Sequence, residues 1–229
     1  MSRKGFTLVE LLVVMFIGII VMVAVYATME MGQHSSVTIG RKVVTQQDTR
    51  SVLDLMAMET RMSSYAPAGA GLVVWQRFKT TCADGVLIAA NKGIQWADKN
   101  SIAIEMDLDN NRSIAGGNEL IYYSYDAGEK AIKRQVGCDG PLTPILGGAG
   151  VETMVVNSLT QPAATPVFRY FDSTDTDITD AVVADQTKIN GIRRIEITIV
   201  ADTRDTDPHM QTVNRMIYST SFIVRNHVL

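Results

Sequence analysis

Arg3-Lys4-Gly5-Phe6-Thr7-Leu8-Val9-Glu10-Leu11-Leu12-Val13-Val14 opens an apolar run that reaches Tyr26, interrupted only by Thr7, Glu10 and Gly18. As a helix, Phe6–Tyr26 is about 32 Å long at 1.5 Å per residue, enough to cross the hydrocarbon core of a bilayer. Arg3 and Lys4 precede it, so the positive-inside tendency keeps the first five residues cytoplasmic and sends the rest across. A secretory signal has a shorter apolar core with small residues at a cleavage site behind it. Here the run passes into further helical sequence, so the segment is expected to remain as an anchor. Glu10 does not suit a plain anchor, because a carboxylate inside the bilayer costs about 2.5 kcal/mol or more unless it is paired or near the interface. Lys4 is one partner within reach. Cleavage after Gly5 would create another, an α-amino group on Phe6 about one helical turn from Glu10. In a packed array of such helices, the amine of one subunit neutralises the acid of its neighbour.

The helical pattern continues beyond Tyr26. Val52, Leu55, Met58, Met62 and Tyr65 recur at spacings of three and four, a stripe expected to pack on a sheet, while Asp48, Arg50, Asp54, Glu59 and Arg61 occupy other faces. Pro67, Gly69 and Gly71 end the pattern near Ser64. Strand patterns follow at Val86–Ile88, Ser101–Met106, Glu119–Tyr125, Ala131–Val136, Glu152–Val156, Val167–Phe171, Arg194–Val200 and Met216–Val224. The short turn around Asp126 and Gly128 predicts a hairpin between the third and fourth of these. The Asp- and Thr-rich stretch 172–190 reads as an exposed loop. One helix followed by many strands predicts an α+β fold, a long helix laid against an antiparallel sheet.

Arg3 to Val14 resembles the class III signal of type IV pilins and type II secretion pseudopilins. That resemblance implies cleavage between Gly5 and Phe6 by prepilin peptidase, N-methylation of Phe6, and a role for Glu10 in setting axial register within a filament. It divides the chain into a leader at 1–5, a transmembrane and filament-core helix at 6–26, an amphipathic continuation at 27–65 and a globular domain at 66–229. Ala27 stands where many major pilins carry a helix-kinking proline. Short blocks such as Leu120-Ile121-Tyr122-Tyr123, Phe168-Arg169-Tyr170-Phe171 and Val224-Arg225-Asn226 are similar to PilW-type minor pilins and to the J-type minor pseudopilin of type II secretion. The partners implied are prepilin peptidase, a major pilin, other minor pilins or pseudopilins and an inner-membrane assembly platform. The globular domain would lie in the periplasm before assembly, then in a surface pilus or a periplasmic pseudopilus.

Composition narrows the alternatives. The 229 residues carry a net charge of −3, which does not suit a nucleic-acid binder, and the basic doublets Arg41-Lys42, Lys133-Arg134 and Arg193-Arg194 form no continuous track. No nucleophile elbow, zinc-protease helix or phosphate loop is present in the sequence, so no catalysis is expected. Cys82 and Cys138 are the two cysteines. On the translocated side they are expected to form a disulfide, the alternative being two buried or unpaired thiols. Asp107-Leu108-Asp109-Asn110-Asn111-Arg112-Ser113 places oxygen ligands at positions 1, 3 and 5 of a loop, as calcium sites do, with Glu119 able to close the shell. Against calcium, Arg112 stands where a glycine is usual, Glu119 comes one residue late for an EF-hand, and the flanking elements read as strands. A polar β-turn accounts for the same residues. Beyond a filament subunit, the sequence admits a membrane-anchored adhesive or ligand-binding domain.

Overall fold

Residues 8–61 lack proline, carry glycine only at 18, 32 and 40, and begin with a capping signal, so they can propagate a single helix. In the computed structural model, which describes residues 5, 7–67, 73–75, 91–114, 118–158, 164–204 and 213–227, Leu8–Arg61 is one helix, α1, of 54 residues. Thr7 caps it, its hydroxyl accepting from Glu10 N at 3.2 Å. Every residue from Leu8 to Val37 is exposed. Burial begins at Thr45 and continues through Thr49, Val52, Leu53, Met56, Ala57, Glu59 and Thr60. The expected stripe is therefore rotated. Met58 is 54% and Tyr65 40% exposed, while Glu59, expected on an outer face, is buried. Two threonines begin the docked face, and a hydrophobic pattern passes over them.

Met62 closes α1, its N–H donating to the carbonyls of Glu59 and Thr60. Ser64 then takes a φ of 61°, which swings the chain off the helix axis, and Ser64 N donates to Glu105 O at 2.8 Å. Five antiparallel strands follow in sequence order: β1 Ile94–Ala97, β2 Ser101–Glu105, β3 Leu120–Asp126, β4 Ala131–Val136 and β5 Thr143–Gly147. The β3–β4 hairpin forms as its sequence predicts. Asp126 pairs with Ala131, and Asp126 Oδ1 accepts from Gly128 N and Glu129 N at 2.9 and 3.0 Å. β1 and β5 have no counterpart among the expected strands, and the expected strand at Val86–Ile88 lies outside the described residues.

The second sheet consists of β6 Thr153–Val155, β7 Phe168–Phe171, β8 Arg194–Thr203 and β9 Arg215–Ile223. β8 is central. β7 and β6 pair end to end along one side of it, and β9 pairs along the other. Between β7 and β8, in the stretch expected to be a loop, lie a six-residue helix, α2 (Thr179–Ala184), and a 3-10 turn. The docked half of α1 crosses β8 and β9. The two sheets are joined by hydrogen bonds from Tyr125 OH to Asn157 O (3.1 Å), Phe168 N to Lys99 O (3.0 Å) and Tyr170 OH to Asp98 O (2.8 Å). One apolar core fills the space between them, with Met56 from the helix, Ile104, Tyr123 and Ile132 from the first sheet, and Ile195 and Ile197 from the second. Each fully buried side chain of this size contributes about 1.5–3 kcal/mol. The architecture is the expected α+β one, with two antiparallel sheets where a single sheet was anticipated.

Candidate functional site

The N-terminal segment is built by its own sequence. A Thr7-to-Glu10 cap fixes the first turn, and Glu10 sits where the positive end of the helix dipole favours a carboxylate. From there α1 presents apolar side chains on all sides with nothing covering them: Leu8 is 81%, Phe16 64% and Tyr26 68% exposed. Its most apolar eighteen residues have a mean hydropathy of 3.0 and are wholly unburied, and the helix is long and apolar enough to cross a membrane. A helix that is hydrophobic all round is buried in its working environment, either in lipid or among similar helices. Gly5 precedes the cap, and Phe6 lies outside the described residues.

Residues 1–26 match the sequence family described as "Prokaryotic N-terminal methylation motif". The chain carries a pilin-type methylation signal. No curated protein and no solved structure matches the chain. The signal is that of a type IV pilin-like or pseudopilin-like precursor, and it implies processing by prepilin peptidase and assembly with other pilins. Residues 8–26 of the matched segment lie within the stretch of α1 that nothing covers.

The globular domain carries the second group of candidate residues. Asp107 and Glu119 leave β2 and enter β3 side by side, and both are buried; Asp109 is exposed in the loop between them. Carboxylate oxygens from these three residues lie within 4.8 Å of one another. The loop folds around its acids. Leu108 N and Asp109 N donate to Glu119 Oε1 at 3.0 and 3.3 Å, and Arg112 N donates to Asp107 Oδ2 at 3.2 Å. Asn110 and Arg112 take φ values of 62° and 66°. Asn111, the fourth expected ligand, is turned onto the loop itself. Its Oδ1 accepts from Ser113 N, and its Nδ2 donates to Asp109 Oδ2 at 2.7 Å.

Cys138 follows β4 and packs against the smaller apolar cluster of Ala103, Ile114, Leu120 and Tyr122 on the outer face of the first sheet. It is not a free thiol. Cys82 lies outside the described residues.

Two polar clusters escaped the sequence reading. Glu59, near the end of α1, receives hydrogen bonds from Arg134 on β4 and from Tyr123 OH on β3. Burial, reinforced by the Glu59 carboxylate, pushes the Tyr123 phenol well above its ordinary pKa, so it remains a neutral donor. The second cluster joins both ends of the domain. His227 Nε2 lies 2.9 Å from Ile189 O and His227 Nδ1 lies 2.9 Å from Ser64 Oγ, which itself accepts from Gly93 N at 3.0 Å. Since a carbonyl only accepts, the proton sits on Nε2, Nδ1 accepts from the Ser64 hydroxyl, and the three bonds run in one direction. The only sequence signal for either cluster is a charged or polar residue within an apolar stretch, which many surface residues share.

Proposed function

We propose that the chain is a minor type IV pilin, processed between Gly5 and Phe6, methylated on Phe6 and packed into a filament through the uncovered half of α1. The observation that carries this reading is the coincidence of a methylation signal with a helix whose residues 8–37 are all exposed. In a fibre, neighbouring copies of the same helix supply the missing cover, and Glu10 meets the methylated amine of an adjacent subunit. Before assembly the segment spans the inner membrane with the domain on the periplasmic side. The role is structural rather than catalytic. The irregular two-sheet domain suits a subunit that primes or tips a fibre better than one repeated along its length. A Cys82–Cys138 disulfide belongs to this reading, closing a loop of about 57 residues and stabilising the domain by roughly 4 kcal/mol in the chain-entropy account.

The methylation signal serves a secretion pseudopilus equally well, so a minor pseudopilin is the second reading. Intact mass and N-terminal sequencing of membrane-extracted protein, with and without prepilin peptidase, test the common core. A chain beginning at methylated Phe6 only when the peptidase is present is the expected result, and an uncut Met1 in both samples overturns it in favour of a plain anchored binding domain. Co-purification with a major pilin or with secretion-apparatus subunits then separates the two machines.

A further inference from the structure

We propose that the loop between β2 and β3 is a calcium site built by Asp107, Asp109 and Glu119. Their oxygens lie within 4.8 Å of one another, the span across a shell of oxygens held about 2.4 Å from a central calcium ion. Asp107 is fully buried, and its Oδ1 has no hydrogen-bond partner. A buried carboxylate oxygen is ordinarily matched by a donor or a cation. The loop's own donors point elsewhere: Arg112 N to Asp107 Oδ2, Leu108 N and Asp109 N to Glu119, Asn111 to both oxygens of Asp109, and Ser113 N to Asn111. Among the described residues no Lys or Arg forms an ion pair with Asp107 or Asp109. Asp107 thus brings to a group of three carboxylates a buried oxygen with no hydrogen bond and, among the described residues, no ion pair, which is the environment a divalent cation completes.

The donor set selects the ion. Carboxylate oxygens suit hard cations rather than the soft metals that cysteine and histidine attract. Magnesium usually keeps several waters and takes one or two carboxylates, whereas a set of three protein carboxylates suits calcium. Two ligands are buried and Asp109 is exposed, so one side of the ion stays open to the waters that complete a shell of six to eight oxygens. Asp107 N also donates to Tyr65 O at 2.9 Å. A bound ion therefore fastens the β2–β3 loop to the segment leaving α1. This holds whether the chain is a filament subunit or an anchored domain.

The test uses the full-length protein in detergent micelles, stripped with EGTA and melted across titrations of calcium chloride and magnesium chloride. Calcium should raise Tm saturably with a midpoint on the order of 0.1–1 mM, as for extracellular modules, by about 3–6 °C at tenfold excess over Kd, with no comparable rise in magnesium. Terbium should bind the wild-type chain with sensitised luminescence that calcium displaces. Asp109→Ala, at an exposed position, should fold and abolish the calcium response. Asp107→Asn should also abolish it, and if that variant does not fold, Asp109→Ala decides alone. A wild-type chain whose Tm and terbium signal ignore calcium up to about 10 mM, ten times the weak end of that range, overturns the proposal. So does an Asp109→Ala variant that responds as the wild type does.

Discussion

Glu59 and Arg134 form a two-pronged ion pair across the junction of α1 and the first sheet, with Arg134 Nη2 2.6 Å from Glu59 Oε1 and Arg134 Nε 3.1 Å from Glu59 Oε2. Most of the docked helix face rests on the other sheet, so this pair is the principal polar tie between α1 and β4. Such a pair adds little over an apolar substitute, but breaking one partner strands the other's charge. Glu59→Ala should therefore destabilise the domain by about 3 kcal/mol, the low end for a buried pair because 21% of the Arg134 side chain remains exposed. Urea unfolding monitored by circular dichroism checks this, and Glu59→Ala combined with Arg134→Met should recover part of the loss.

His227 gives the domain a pH dependence of definite sign. Burial, with Arg193 and Lys92 nearby, lowers its pKa below the ordinary 6.5 despite the hydrogen bond to Ile189. A depressed folded-state pKa means that the unfolded chain binds the proton first. This contribution is complete above about pH 6.5 and is lost as pH falls through the folded-state value. Urea midpoints should drop on acidification below pH 6.5. His227→Gln should start lower at neutral pH but decline less over the same window.

Gly93 lies where the exit of α1 crosses β2. A Cβ there would stand 2.3 Å from both Glu105 O and Ser64 N, two backbone atoms that are themselves hydrogen-bonded to each other. Gly93→Ala must push the helix exit away from the sheet. It should destabilise by about 2 kcal/mol or more, while alanine at Gly32, which has open space around it, should leave the thermal midpoint unchanged or slightly raised.

Glu10→Ala separates processing from assembly. Glu10 lies beyond the proposed cleavage site between Gly5 and Phe6, so the variant should be cleaved at wild-type levels. If Glu10 neutralises a neighbour's amine within the fibre, its recovery in sheared filaments should fall roughly tenfold or more, since even 1.4 kcal/mol of lost pairing is tenfold. Quantitative blots of membrane and filament fractions give both numbers. Wild-type recovery in filaments would remove the register role.

The strongest signals in the chain were the local ones. The apolar run, the β3–β4 hairpin and the length of β4 are all written in neighbouring residues, and each is found in the structure. β1 is only Ile94-Gln95-Trp96-Ala97, too short for an alternation to show, and β5 contains Pro144 and Gly147, both of which argue against a strand. The face of α1 that docks depends on where β8 and β9 lie, about 140 or more residues downstream, so helical periodicity alone could not orient it. Glu59 had the same obscurity: its partner Arg134 is 75 residues away. The acidic loop was legible as a spacing of ligands, while the unmatched Oδ1 of Asp107 emerges only once β2 and β3 lie side by side.

Because the exposed and docked halves of α1 are one uninterrupted rod, any tug on the tail arrives axially at the domain. A pull toward the N-terminus loads the contacts from Thr45 to Thr60 in parallel, as shear along the helix, instead of unzipping them one by one. The Glu59–Arg134 tie lies at the far end of that lap joint, where it resists the last of the sliding. If the chain is built into a fibre as proposed, it is held together along the direction in which that fibre would strain it.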